Sequence, residues 1–162
     1  MLTANLSEQM LTLEATLPAL DRAYYRLALV VGKAGSGKTA LLRELSTRTG
    51  HPLINVNLQI SERLLDYTIA ERPRLVPRFL GEIVKEANSR VVLLDNLELL
   101  FDATLSLNPL QMLQSISRNT TLVAAWSGTF NNHVLTYAEV GHAEYRRYEL
   151  SAQDAVVVVL GS

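Results

Sequence analysis

The stretch "LALVVGKAGSGKTALL", residues 27 to 42, constrains this chain more than any other. An apolar run stops at Gly32, two more glycines follow at 35 and 37, and then come Lys38 and Thr39. The spacing is G-x-x-x-x-G-K-[ST], the pattern of a loop that wraps a phosphate chain. Glycines reach backbone angles closed to other residues, so successive N–H groups can turn inward around one anion. A helix starting near Lys38 adds the positive end of its dipole. The Lys38 ammonium is expected on the β- and γ-phosphates. The Thr39 hydroxyl is expected on Mg2+, a hard cation that takes oxygen ligands. The predicted nucleotide-binding set is therefore Gly32, Lys33, Ala34, Gly35, Ser36, Gly37, Lys38, Thr39 and Ala40.

The flanks fit that reading. "RLALVV" is short and apolar, as a buried strand is, and "KTALLRELSTRTG" carries Leu41, Leu42 and Leu45 and ends at a glycine, as a helix does. The chain has 162 residues, enough for one core, and no repeat or linker divides it. It is expected to be a single domain over 1–162, with an N-terminal helix within 1–22 and the core over 27–160. A formal net charge of −1 does not favour DNA as a partner. Although 48% of residues are hydrophobic, no charge-free run reaches membrane-spanning length. There is no signal-peptide pattern and no cysteine, so the expected setting is cytoplasmic.

Elements alternate along the chain. Residues 5–22 read as an amphipathic helix that Pro18 kinks or ends. "PLINVNL" alternates apolar and polar residues and reads as the second strand. Ser61 is the expected cap of a helix to about Glu71, interrupted by Pro73, with another helix over about 75–88. "RVVLLDN" is the third strand. Asn108-Pro109 opens a helix to about Ser117, and "TTLVAAW" is the fourth strand. Residues 127–154 read as irregular or hairpin-like. The fifth strand is "AVVVVL", or alternatively "YRRYEL". The expected fold is α/β: a P-loop NTPase of the additional-strand, AAA-like class, with a five-stranded parallel sheet flanked by helices.

Asp95 follows four apolar residues, at the end of a sheet where nucleotides bind. An acid there holds Mg2+ opposite the threonine hydroxyl, so Thr39 and Asp95 are the expected metal residues. Additional-strand ATPases commonly place a glutamate straight after this aspartate to polarise the attacking water. Here the position is Asn96, which can orient water but cannot take a proton as a carboxylate does. Glu98 is the nearby substitute. Slow hydrolysis and binding without hydrolysis both stand at this point. Ser127, after the fourth strand, is the expected γ-phosphate sensor, with Thr129 and Asn131 behind it. Arg146 and Arg147 are candidates to reach a neighbouring subunit's nucleotide, and Arg118 is a secondary one. The catalytic set is thus Lys38, Asp95, Asn96, Glu98, Ser127, Arg146 and Arg147.

Other features have plainer readings. "ERPRLVPR" reads as a solvated face, Tyr24 and Tyr25 as packing residues rather than stackers on a base, and His51, His133 and His142 as surface histidines. The connector "LTYAEVGHAEYRRYEL" is the candidate contact for another subunit or a partner. Without an N-K-x-D guanine signature, the expected nucleotide is ATP.

The chain resembles the BrxF family of small P-loop proteins from type III BREX phage-exclusion systems. The resemblance lies in "YYRLALVVGKAGSGKTALLREL", "INVNLQISERLL", "VVLLDNLELLFD" and "LTYAEVGHAEYRRY", and covers most of residues 20–150. It implies an AAA-like core without a C-terminal helical lid and a role in defence against phage. It also implies BREX partners: a larger ATPase, a DNA methyltransferase and an alkaline-phosphatase-like protein. By position, Lys38 and Thr39 would bind phosphate and Mg2+, and Asp95 the metal. Asn96 belongs to the resemblance.

Three functions follow: an ATP-dependent regulatory or assembly subunit that forms homo-oligomers, a nucleotide-dependent adaptor without turnover, and a small-molecule kinase. Strand order separates the first from the last. The ATPase class inserts the Thr121–Trp126 strand between the phosphate-loop strand and the Asp95 strand. A nucleotide kinase puts those two side by side.

Overall fold

The computed structural model describes residues 2–161; Met1 and Ser162, the ends of the expected 1–162 domain, lie outside the described residues. Its centre is β1 (Leu27–Gly32), which runs between β4 (Thr121–Asn131) and β7 (Val156–Val159), parallel to both. β3 (Val91–Asp95) lies beyond β4, and β2 (Leu53–Asn55) forms the outer edge, giving the parallel order β2-β3-β4-β1-β7. The strand that carries Thr121 to Trp126 therefore separates the phosphate-loop strand from the Asp95 strand, as the additional-strand class requires. The fifth parallel strand is the valine run.

Both faces of the sheet are covered, and the alternation along β1 shows how. Leu27, Leu29 and Val31 enter one core cluster, with α3 (Val56–Leu64), α4 (Arg72–Glu86) and α5 (Pro109–Ser117). Ala28 and Val30 point to the opposite face, under α1 (Ala4–Leu20) and α2 (Lys38–Thr49). In α2, Leu41, Leu42 and Leu45 are fully buried there. Each such side chain contributes about 2 kcal/mol of transfer free energy. That anchorage fixes where α2 begins, and so where the phosphate loop ends.

Several element boundaries depart from expectation. Pro18 lies inside α1, which runs on to Leu20. In the last turn a proline forfeits one hydrogen bond without a further turn to disrupt. β2 stops at Asn55, whose side chain accepts from the Leu58 N–H and caps α3. The cap expected at Ser61 is thus six residues late, and α3 ends at Leu64. A 3-10 turn over Ile69–Glu71 follows, closed by a Thr68–Glu71 capping box. Pro73 does not interrupt a helix but sits in the first turn of α4, where its missing N–H costs nothing. α4 also runs through Pro77, within "ERPRLVPR".

The largest departure follows Trp126. β4 continues to Asn131, turns back as β5 (Val134–Tyr137), and β6 (Arg146–Glu149) pairs beside β5, both antiparallel. "YRRYEL" is therefore the last strand of a hairpin extension and not a core strand. Gly128 makes this pairing possible, because a Cβ there would collide with the Thr136 carbonyl oxygen. Gly128→Ala is expected to destabilise the fold by about 3 kcal/mol, as measured by denaturant unfolding.

Candidate functional site

The phosphate loop leaves the C-terminal end of β1 and turns into α2 through Gly35 (φ 80°) and Gly37 (φ 103°). Both angles lie in the left-handed region that glycine reaches without strain. Lys38 is buried, and its ammonium donates to the carbonyl oxygens of Gly32 (2.9 Å) and Lys33 (2.8 Å). Burial lowers its pKa, opposed by the charges of Glu98 and Asp95. Ser36 carries a buried hydroxyl with no protein partner. Gly32 has to be glycine, since a Cβ would strike that hydroxyl. An unpartnered buried donor in this glycine-rich loop is a fit for a phosphate oxygen.

Across the loop, the Thr39 hydroxyl donates to Asp95 Oδ2 at 2.7 Å. The two groups expected to share a metal are in contact, and both offer hard oxygen, the chemistry that suits Mg2+. The other Asp95 oxygen, Oδ1, accepts from the Asn96 N–H at 3.0 Å. Asn96 itself adopts φ 57°, a left-handed turn that asparagine tolerates.

That turn brings Glu98 round to the site. Its carboxylate accepts from Asn57 Nδ2 at 3.1 Å; its charge opposes the burial that lowers the Lys38 pKa and adds to the burial that raises that of Tyr137. Asn57 is bonded on three sides. Its N–H donates to the Asn96 carbonyl (3.0 Å), and its Oδ1 accepts from the Leu99 N–H (2.8 Å). The third bond is the one to Glu98. Sequence reasoning missed Asn57, because it read this position as strand.

Residues 28–155 match the family model described as ATPase family associated with various cellular activities (AAA). This chain belongs to the AAA ATPase family. No curated protein matches it. Among solved structures, the PCH-2 protein of C. elegans is similar at 18% identity and a TM-score of 0.48. That match covers 96% of this chain and 42% of PCH-2, so the chain spans less than half the length of this neighbour.

The AAA domain brings some of the remaining sequence candidates to the loop and leaves others away. Ser127 lies across from Gly32 in the β1–β4 register and lines a cleft of about 610 Å3 beside Lys33 and Ala34. Thr129 lines the same cleft, but its hydroxyl is taken by Thr136 at 2.6 Å. Asn131 is exposed at the far end of the hairpin. Arg146 and Arg147 lie on β6 of the hairpin, which comes just before β7 in the chain. The Arg146 guanidinium donates to the carbonyls of Glu144 (3.4 Å) and Tyr145 (3.2 Å), while Arg147 pairs with Glu149 (3.4 Å). Neither bonds the chain's own phosphate loop.

Tyr24 and Tyr25 precede β1, at the end of the sheet opposite the loop. Tyr24 stacks edge-on against Tyr25 and carries the Arg118 guanidinium 4.5 Å from its ring centre. His142 is an exposed residue lining the Ser127 cleft, and its Nδ1 accepts from the Glu144 N–H. Tyr137 was unforeseen as a site neighbour. Its ring stacks flat on Phe101 (3.4 Å between centres, 3° between planes) at the end of the turn that Glu98 begins. Burial, with Glu98 and Glu144 nearby, pushes its phenol up to about 12, so it remains a hydrogen-bond donor. No helix among the described residues is long and apolar enough to cross a membrane.

Proposed function

We propose that this AAA domain is a Mg2+-dependent ATPase that serves as a regulatory or assembly subunit, working as a homo-oligomer in the cytoplasm. The observation that carries the reading is the Thr39–Asp95 contact across a phosphate loop, in a sheet where β4 separates the two strands concerned. Lys38 would bind the β- and γ-phosphates, and the loop amides with Ser36 would take the remaining oxygens. Mg2+ held by Thr39 and Asp95 would neutralise charge on those phosphates. Glu98 would polarise the attacking water in place of Asn96, with Asn57 holding its carboxylate. Ser127 would donate to the terminal phosphate.

The quoted likeness to BREX proteins supports a setting in phage defence, with the larger ATPase, the methyltransferase and the phosphatase-like protein as partners. Strand order counts against the kinase. One observation favours the adaptor instead: Asn96 occupies the place of the usual catalytic carboxylate.

ATP turnover per subunit, followed as protein concentration rises, tests these readings. The ATPase reading expects a specific rate that climbs with concentration as sites complete one another between subunits. Arg146 and Arg147 would then be the first arginines to replace. A rate equal to that of Lys38→Ala at every concentration would leave the adaptor.

A further inference from the structure

The hairpin that follows Ser127 ends in an open edge. β6 pairs with β5 on one side, and among the described residues no strand pairs with it on the other. Two hydrogen bonds decide which backbone groups that edge presents. The Leu150 N–H donates to the His133 carbonyl (2.7 Å), so Leu150, Tyr148 and Arg146 turn their N–H and C=O groups towards β5. The Ala138 N–H donates to the Ser127 carbonyl (3.1 Å), which assigns Thr136 to β4 and leaves Leu135 and Tyr137 for β6, in agreement. Arg147 and Glu149 therefore turn their backbone groups outward. A cleft of about 370 Å3 beside the strand, with Asn108 and Gln111 at the start of α5 among its lining, leaves this side open.

The side chains separate in the same way. Tyr148 turns to the core, where its ring meets that of Trp126 edge-on, 5.8 Å between centres. Arg147 and Glu149 stand on the other face, 54% and 77% exposed, and pair with each other along the strand at 3.4 Å. Such a surface pair adds little to stability. An unpaired edge is a template for another chain, and charge on it commonly wards other chains off. These two charges have opposite signs and stand two residues apart. They are therefore complementary to a second copy of the same strand running the other way.

We infer that β6 pairs antiparallel with β6 of a second copy, about a two-fold axis through Tyr148, and that this strand pair joins two chains. Hydrogen-bonded pairs across the edge need residues whose backbone groups face outward, so odd-numbered residues must meet odd-numbered ones. Centring on Arg147 sets arginine against arginine, and centring on Glu149 sets glutamate against glutamate, both unfavourable. Centring on Tyr148 sets each Arg147 opposite the partner's Glu149, with the N–H and C=O groups of both engaged. β2 and β7 also edge the parallel sheet, but their Leu-Ile-Asn and all-valine sequences carry no charge to fix a register. The β6 contact is isologous and closes at two copies. It gives the homo-oligomer proposed above a surface, and it rests on that part of the reading alone, not on ATP turnover. It also differs from a head-to-tail contact, in which an arginine reaches a neighbour's nucleotide.

The test is sedimentation velocity of the full chain over a range of concentrations, without nucleotide and with Mg-ATP. The samples are wild type, Arg147→Glu, Glu149→Arg, the double variant with both exchanges, and an equal mixture of the two single variants. Wild type is expected to dimerise in both conditions. Each single variant sets like charges opposite one another at two places, and is expected to weaken the dimer by about 10- to 100-fold. The double variant restores opposite charges and is expected to recover it. In the mixture, the glutamates of Arg147→Glu chains face the arginines of Glu149→Arg chains, so heterodimers are expected where neither variant dimerises alone. Neither the pair within one strand nor a loss of fold can produce that rescue between chains. Single variants that dissociate with no recovery in the mixture overturn the strand pairing. An assembly that both single variants leave unchanged overturns the β6 contact and keeps the homo-oligomer. Wild type that stays monomeric in both conditions overturns both.

Discussion

Lys38→Ala is expected to lose ATP binding by about 100- to 1,000-fold in titration calorimetry, with the thermal unfolding of the free protein little changed. The basis is the place of the ammonium. It is buried at the head of α2, where it bonds two carbonyls of its own loop, Gly32 at 2.9 Å and Lys33 at 2.8 Å. Those bonds hold the charge at the loop without a ligand, so little ordering remains to be done when phosphate arrives. Removing one partner from a desolvated, hydrogen-bonded charge pair costs about 3–4 kcal/mol, which is the stated range of affinity. The pH dependence has a definite sign. Burial lowers the Lys38 pKa from the ordinary lysine value. As pH rises, the cation is lost earlier than on a surface lysine, and ATP affinity should fall earlier too. Affinity unchanged in Lys38→Ala would mean that the loop is a turn and not a phosphate site.

What the sequence disclosed follows from where the local chemistry is unambiguous. The β1–loop–α2 unit was legible because glycines at 32, 35 and 37 are required by close approach or positive φ, and because Leu41, Leu42 and Leu45 repeat at helical spacing. β3 and the first half of β4 were legible as short apolar runs. The stretch after Pro52 was legible only in its first half. Ile54 and Val56 alternate with asparagines as in a strand, and Leu53–Asn55 is one, yet Val56, Ile60 and Leu64 recur at helical spacing. Asn55 as a cap decides for the helix, and short runs of this kind satisfy both periods. The hairpin was hidden for a different reason. Gly128 reads as a turn but serves to let two backbones meet, a contact visible only once β5 is in place.

The same misreading concealed Asn57, which leads to the second large effect. Glu98→Gln is expected to lower the ATP hydrolysis rate by about 100- to 10,000-fold while leaving ATP binding within a few-fold of wild type. The amide keeps the size and the bond to Asn57 but cannot accept a proton from water. Geometry favours Glu98 over its neighbour for this task. The Asn96 N–H is bonded to Asp95 Oδ1, and its carbonyl accepts from Asn57, so the backbone there is committed to shaping the turn. The left-handed Asn96 then carries the chain round so that the Glu98 carboxylate acts electrostatically on Lys38. Asn57→Ala should produce a smaller loss in rate at similar affinity, because it frees the Glu98 carboxylate without removing it. A positioning role predicts a further signature: Asn57→Asp should lie below Asn57→Ala near neutral pH, since two carboxylates in contact repel, and should recover as pH falls and one is protonated. If Glu98→Gln turns over ATP at the wild-type rate, the water-polarising group lies elsewhere. Asn96→Ala, combined with Glu98→Gln, would then show whether the Asn96 amide alone orients the water.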